Sequence, residues 1–173
     1  MASRTALFSR HQPGGVFTVH DVVEHPGQIF FAGSTITGAT DGAGYGQNPD
    51  APVATIDYAV GLCAANAGDV IYVLPGHAET INTAAGINLD VAGISVVGLG
   101  NGEDRPTITV GSTLDTATVV IGAADVRVAN LVLQPGNDGV DILLDINADG
   151  AIVEDCEFRS DEARAFSIQE SRV

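Results

Sequence analysis

Four residues within DINADGAIVEDC, Asp145 to Cys156, have the types and spacing of a cation site. Asp145, Asn147, Asp149 and Gly150 reproduce the first half of a calcium-binding loop, D-x-[DN]-x-[DN]-G, whose alternate side-chain oxygens converge on a hard cation. Glu154 and Asp155 follow at once and raise the alternative of an acid pair. The calcium reading needs a bidentate Glu at loop position twelve, and that position is Cys156. It fails there. A plain turn is the stronger reading, since Asn, Asp and Gly are the residues that tight turns require. An acid pair for glycoside hydrolysis would need two carboxylates roughly 5–9 Å apart in a cleft. With 22 acidic residues in the chain, some pair meets that spacing by chance.

The histidines offer less. His11, His20 and His25 match no zinc spacing. His77, in PGHAET, follows a Pro-Gly turn with no nucleophile spacing around it, and is expected to be a surface or turn residue. GLGNGED, from Gly98 to Asp104, is glycine-rich but opens no helix, so phosphate binding is unsupported. No cofactor and no metal is expected.

The elements that would position these groups follow from composition and pattern. At 173 residues the chain is long enough for one continuous core. Aromatics are only 5% and glycines number 21, with Val, Ile, Leu and Ala supplying the apolar content; that mix favours short strands and tight turns. The net charge is −15 and all seven basic residues are Arg, a surface that repels nucleic acid and anionic lipid. No apolar run is long enough for a signal peptide or a membrane span. Cys63 and Cys156 each lie inside an apolar pattern and read as buried free thiols, which suits synthesis in a reducing cytoplasm.

Residues 1–28, with Pro13, Gly14, Gly15, Pro26 and Gly27, read as an extended arm carrying one strand near Val16 to Val23. QIFFAGS is a strand and TGATDGAGYGQNPDAP a glycine-rich loop. A helix is expected over 51–66, with Asp50 as N-cap, Pro52 in the first turn, and Val53, Ile56, Val60 and Cys63 on one face. DVIYVLPG is a buried strand closed by a turn.

Beyond residue 86 the chain repeats itself. Segments beginning at Ile87, Val119 and Leu144 align without gaps, so that Leu89, Ile121 and Ile146 correspond, as do Val96, Val128 and Val153, and Leu99, Leu131 and Cys156. The same alignment equates NADG with GAAD and DVAG, and Asp155 with Asn130 and Gly98. A strand-turn-strand unit of this length cannot bury its own apolar side, so units must stack. The pattern predicts an all-β fold, a parallel β-helix with coils about 4.8 Å apart and like residues stacked inside. The opening stretch is then a turn between two strands of one coil.

The run from Ile29 to Ile81 resembles the beginning of right-handed parallel β-helices of the pectate-lyase-like superfamily: a strand, a Gly/Asp-rich loop, a P-x-A-T-I-x-x-A capping helix at Pro52 to Ala59, and a G-D-x-I-x-V-x-P-G first coil at Gly68 to Gly76. GYG, TIDYAVGLC and PGHAETI look most like virion proteins of tailed bacteriophages. The resemblance implies a single right-handed parallel β-helix over 29–173, preceded by the 1–28 arm. It implies a non-enzymatic capsid decoration (cement) protein on the outer virion surface, bound to the major capsid protein or another virion protein, with neither nucleic acid nor membrane as partner. The alternative is a tailspike or tail-fibre module that binds or cleaves host polysaccharide. For a lyase the resemblance offers Asp125, Arg127, Glu154, Glu157 and Arg159; by strand alternation Arg127 and Glu154 point outward on neighbouring coils, which makes a cross-coil ion pair the ordinary explanation. In the arm, Arg4 and Arg10 with Phe8 and Phe17 are the expected attachment residues. ARAFSIQESRV begins a further coil, and β-helical phage proteins are typically trimers, so a homotrimer burying Phe158, Phe166 and Ile168 is expected.

Overall fold

Val and Ile recur in runs such as VIYV, SVVG and TITV, where β-branched side chains suit the pleated backbone, and these runs are strands in the computed structural model. Described are residues 8–10, 17–19, 27–111, 118–140, 142–160 and 167–170. The elements are β1 (Phe8–Arg10), β2 (Phe17–Val19), β3 (Ile29–Ala32), α1 (Ile56–Val60), β4 (Val70–Val73), β5 (Ala78–Ile81), β6 (Ile87–Leu89), β7 (Ser95–Gly98), β8 (Thr107–Val110), β9 (Val119–Ile121), β10 (Arg127–Ala129), β11 (Val132–Pro135), β12 (Ile142–Ile146), β13 (Ile152–Glu154), β14 (Glu157–Phe158) and β15 (Ser167–Glu170).

Beyond the β1–β2 hairpin, the strands form three parallel sheets, ordered β13-β10-β7-β4-β3, β14-β11-β8-β5 and β15-β12-β9-β6. From β4 onward the chain visits the three sheets in strict rotation. The register is the one the repeat predicts. Val128 pairs with both Val96 and Val153; Val119 pairs with Ile87 and Leu144; Ile121 pairs with Leu89 and Ile146. Ile71, Val96 and Val128 are buried in line, and Val153 packs half-buried against them. The turn alignment holds too: Gly93, Asp125 and Gly150 all take left-handed φ, of 74°, 57° and 73°.

One equivalence breaks. Thr107, not Gly100, pairs with Val132, because the chain detours after β7 through a 3-10 turn at Gly102–Asp104. Leu99 therefore does not share the register of Leu131 and Cys156. Gly98 also lacks the left-handed φ of Asn130 (55°) and Asp155 (51°). It is glycine because a Cβ there would collide with the Asn130 carbonyl, while Asn130 Nδ2 donates to the carbonyls of Gly98 (2.8 Å) and Gly100 (3.1 Å).

The helix is shorter than the 51–66 expected. Val53 is drawn into strand-like bonding, its N–H donating to Phe31 O (3.0 Å) and its carbonyl accepting from Gly33 N (2.9 Å). The cap is accordingly Thr55 rather than Asp50, its hydroxyl accepting from Tyr58 N at 3.3 Å. α1 packs against β3, β4 and β6 with Ile56, Ala59 and Val60 buried. Its Asp57 carboxylate accepts the N–H of Asn88 on edge strand β6 (3.0 Å), a donor the sheet leaves over.

The arm departs from the expectation of one strand. β1 and β2 pair antiparallel, with Phe8 opposite Val19 and Arg10 opposite Phe17. Arg4 and Phe166 lie outside the described residues.

Candidate functional site

The groups suggested for catalysis fall on the outer surface of β10, β13 and β14. Arg127 Nε donates to Glu154 Oε1 across the coil boundary at 2.6 Å, as strand alternation predicts. Glu157 Oε2 takes Arg105 Nη1 at 3.1 Å, and Glu157 Oε1 takes Arg159 Nε at 2.6 Å. Arg105 also donates through Nη2 to the carbonyls of Leu131 and Asp155, tying two successive coils at their bend. The hydrogen bond from Arg159, with the charges of Arg159 and Arg105, holds the Glu157 carboxyl below its ordinary range. It is an anion at neutral pH, a poor proton donor and a weakened base. Asp125 stands apart, at the turn before β10, where its Oδ1 lies over Gly150 and its N–H donates to Asp149 O (3.0 Å).

The stretch that resembles a calcium loop is laid out as a strand end and a turn. Asp145 and Ile146 close β12, Asn147 Nδ2 donates to Asp145 Oδ2 at 2.9 Å, and Asp149 supplies its backbone carbonyl to the coil before. Among the described residues, no three His, Cys, Asp or Glu side chains are grouped to hold a metal.

His77 is the largest departure from the sequence reading, for it is buried at 1% exposure rather than lying on the surface. Alternation after the Pro75-Gly76 turn points His77, Glu79 and Ile81 inward together, and a Glu two residues from a His on a strand was the available signal. Ser34 N–H donates to His77 Nδ1 at 2.9 Å, so the ring proton sits on Nε2 and is directed at Glu79 Oε2, 3.1 Å away. The same carboxylate oxygen accepts the Ile56 N–H at 3.0 Å, where α1 begins. Ser, His and Glu meet here, yet not as a nucleophile and base. Ser34 Oγ is engaged with Ala78, donating to its carbonyl (2.9 Å) and accepting its N–H (3.0 Å), while Nδ1 is occupied by a backbone N–H. The cluster is a joint between β3, β5 and α1. Asp69, 3% exposed, forms a second joint: Oδ1 accepts Gln28 N–H (2.6 Å) and Oδ2 accepts Ala64 N–H (2.7 Å).

Both thiols are free and half-buried. Burial, reinforced by the Asp69 carboxylate, pushes the Cys63 thiol up to about 12. At pH 8 its thiolate population is about a thousandfold below that of an ordinary cysteine. Cys63 in a Cys156→Ser variant is therefore expected to label with a soluble disulfide reagent at a rate that climbs with pH throughout 7 to 10; a plateau within that interval contradicts the burial argument.

Of the partner-binding candidates, Phe8, Arg10 and Phe17 fall in the hairpin. Phe158 pairs with Leu133 and packs half-buried against the core, and Ile168 pairs with Leu144. Among the described residues no helix is long and apolar enough to cross a membrane. Comparison with protein-family models, curated proteins and solved structures found no match.

Proposed function

We propose that the chain is a single right-handed parallel β-helix serving as a non-enzymatic structural protein of a tailed-phage virion, a capsid decoration (cement) protein that assembles as a homotrimer on the outer shell. The observation that carries the non-enzymatic part is the use of Glu154 and Glu157, whose carboxylates are committed to guanidiniums, two of them (Arg127 and Arg105) on a preceding coil. Carboxylates used as staples between coils are not poised for hydrolysis or lysis. The rotation of the chain through three parallel sheets supports the β-helix, and parallel crossovers are right-handed in nearly all folds. The fold alone is silent on activity; the virion assignment rests on the likeness of GYG, TIDYAVGLC and PGHAETI to phage proteins. In this reading the hairpin arm, with Arg4, Phe8, Arg10 and Phe17, grips the major capsid protein. It brings positive charge to an otherwise acidic chain.

Three measurements test the proposal. Purified protein should sediment as a trimer and add threefold density to the outside of matching capsids lacking it, and deletion of residues 1–28 should abolish that binding. Incubation with host polysaccharide should release no fragments. Fragment release that disappears in Glu157→Gln would replace the structural reading with the tailspike one.

A further inference from the structure

We propose that the concavity beside the Gly42–Asn48 loop binds a single neutral sugar ring, a role that does not depend on the structural one. An open concavity of about 310 Å³ is lined by Gln28, Phe30, Gly44, Tyr45, Gln47 and Leu62, at the low end of the range for small-molecule sites and roomy enough for one ring. Phe30 lies on the buried side of strand β3, Tyr45 packs partly against the core, and Leu62, just past α1, is 37% exposed. Together they offer an apolar surface to the C–H face of a ring.

The polar edge comes from two amides. Gln47 Nε2 reaches Gln28 Oε1 only at 3.4 Å, a long bond that leaves donors and acceptors over on both side chains. Donor and acceptor on one planar group match the paired hydroxyls of a sugar. Among the described residues no carboxylate or guanidinium lines the cavity, in a chain with 22 acidic residues and a net charge of −15. A cation finds no anionic ligand here, a phosphate or carboxylate is repelled by the chain as a whole, and a wholly apolar guest would bury the amides unpaired.

The walls are built in advance. Gly46 N–H donates to Ala51 O (2.9 Å), its carbonyl accepts Phe31 N–H (2.7 Å), and Tyr45 N–H donates to Gly42 O (3.3 Å). Gly46 takes φ 90°, and a Cβ there would press on Leu62 Cδ1 and Val53 Cγ1 at 3.1 Å, so glycine is what lets Leu62 lie in the wall. Gln28 is fixed through its N–H by the Asp69 carboxylate.

The test is an NMR titration of the isotopically labelled full chain with the methyl glycosides of glucose, galactose, mannose and N-acetylglucosamine. At least one should give saturable shifts at Tyr45, Gln47 and Leu62, with a dissociation constant of about a millimolar for so small a guest. Tyr45→Ala and Gln47→Ala should each weaken binding about tenfold, with Gln47→Ala leaving the unfolding midpoint in place. Glucuronate should bind more weakly than the methyl glucoside. Absence of saturable shifts with all four probes overturns the site, as do unchanged affinities in both variants or tighter binding of glucuronate.

Discussion

Leu133→Ala should lower the unfolding free energy by about 4 kcal/mol, in the upper part of the range for buried leucines. Leu133 is 2% exposed in β11, paired on one side with Ile108, itself 1% exposed, and on the other with Phe158. Two effects add. The lost methyl groups forfeit their transfer free energy, and the hole they leave resists closing. Collapse is hindered because backbone hydrogen bonds on both flanks hold the coils at strand spacing, so neighbours cannot slide inward without breaking a ladder. The interior already contains a narrow apolar void of about 10 Å³, lined in part by Leu133, Leu131 and Ile108, which the truncation would enlarge. By contrast Ile152, 52% exposed on β13, should change stability by less than about 0.5 kcal/mol when replaced by alanine. Urea titrations of the two variants give both numbers. A Leu133→Ala cost under about 1 kcal/mol would mean that the stack relaxes freely, contrary to the packing argument.

What the sequence made legible is the part governed by repetition. Ile87, Val119 and Leu144 announce themselves because a parallel stack places like residues over like residues, so a register is written as a sequence interval. The same logic exposed the turn at Asp145 to Gly150 and the ion pair between Arg127 and Glu154. It failed where the chain leaves the repeat. The detour through Gly102–Asp104 shifts the partner of Val132 to Thr107, and no interval rule anticipates an insertion that re-enters the sheet. The helix is shorter than its periodicity implies, because the spacing of Val53, Ile56 and Val60 does not reveal that Val53 is claimed by the backbone of Phe31 and Gly33. The sugar-sized concavity depends on Gln28 and Tyr45 meeting over 17 positions of sequence, through a loop shaped by glycines. The burial of His77 is hidden for a related reason: the Ser34 N–H that binds its ring, and the Ile56 N–H that shares the Glu79 carboxylate, are distant in sequence and are backbone groups, which no motif records.

Replacing His77 with alanine should cost about 3 kcal/mol, although the residue touches no outward surface. The loss is not mainly one of volume. Without the imidazole, the Ser34 N–H loses the acceptor it had in Nδ1, and the Glu79 carboxylate, whose side chain is 12% exposed, keeps only the Ile56 N–H to offset its charge. A partly buried anion stripped of a donor is the expensive outcome. Glu79→Gln should cost less, about 1 kcal/mol, because an amide oxygen still accepts from Ile56 N–H and from Nε2–H, with weaker bonds. The double replacement His77→Ala with Glu79→Ala should then cost clearly less than the two alanine variants added together, because removing both partners removes the unpaired charge. Hydrogen exchange supplies the local reading: in His77→Ala the amides of Ser34 and Ile56 should lose protection before those of β10 and β11, since this joint holds β3 and α1 to the first coils. Strict additivity of the two alanine variants, or Ser34 and Ile56 amides as protected as before, would show that His77 merely fills space and that Asp69 alone carries the load at this end of the fold.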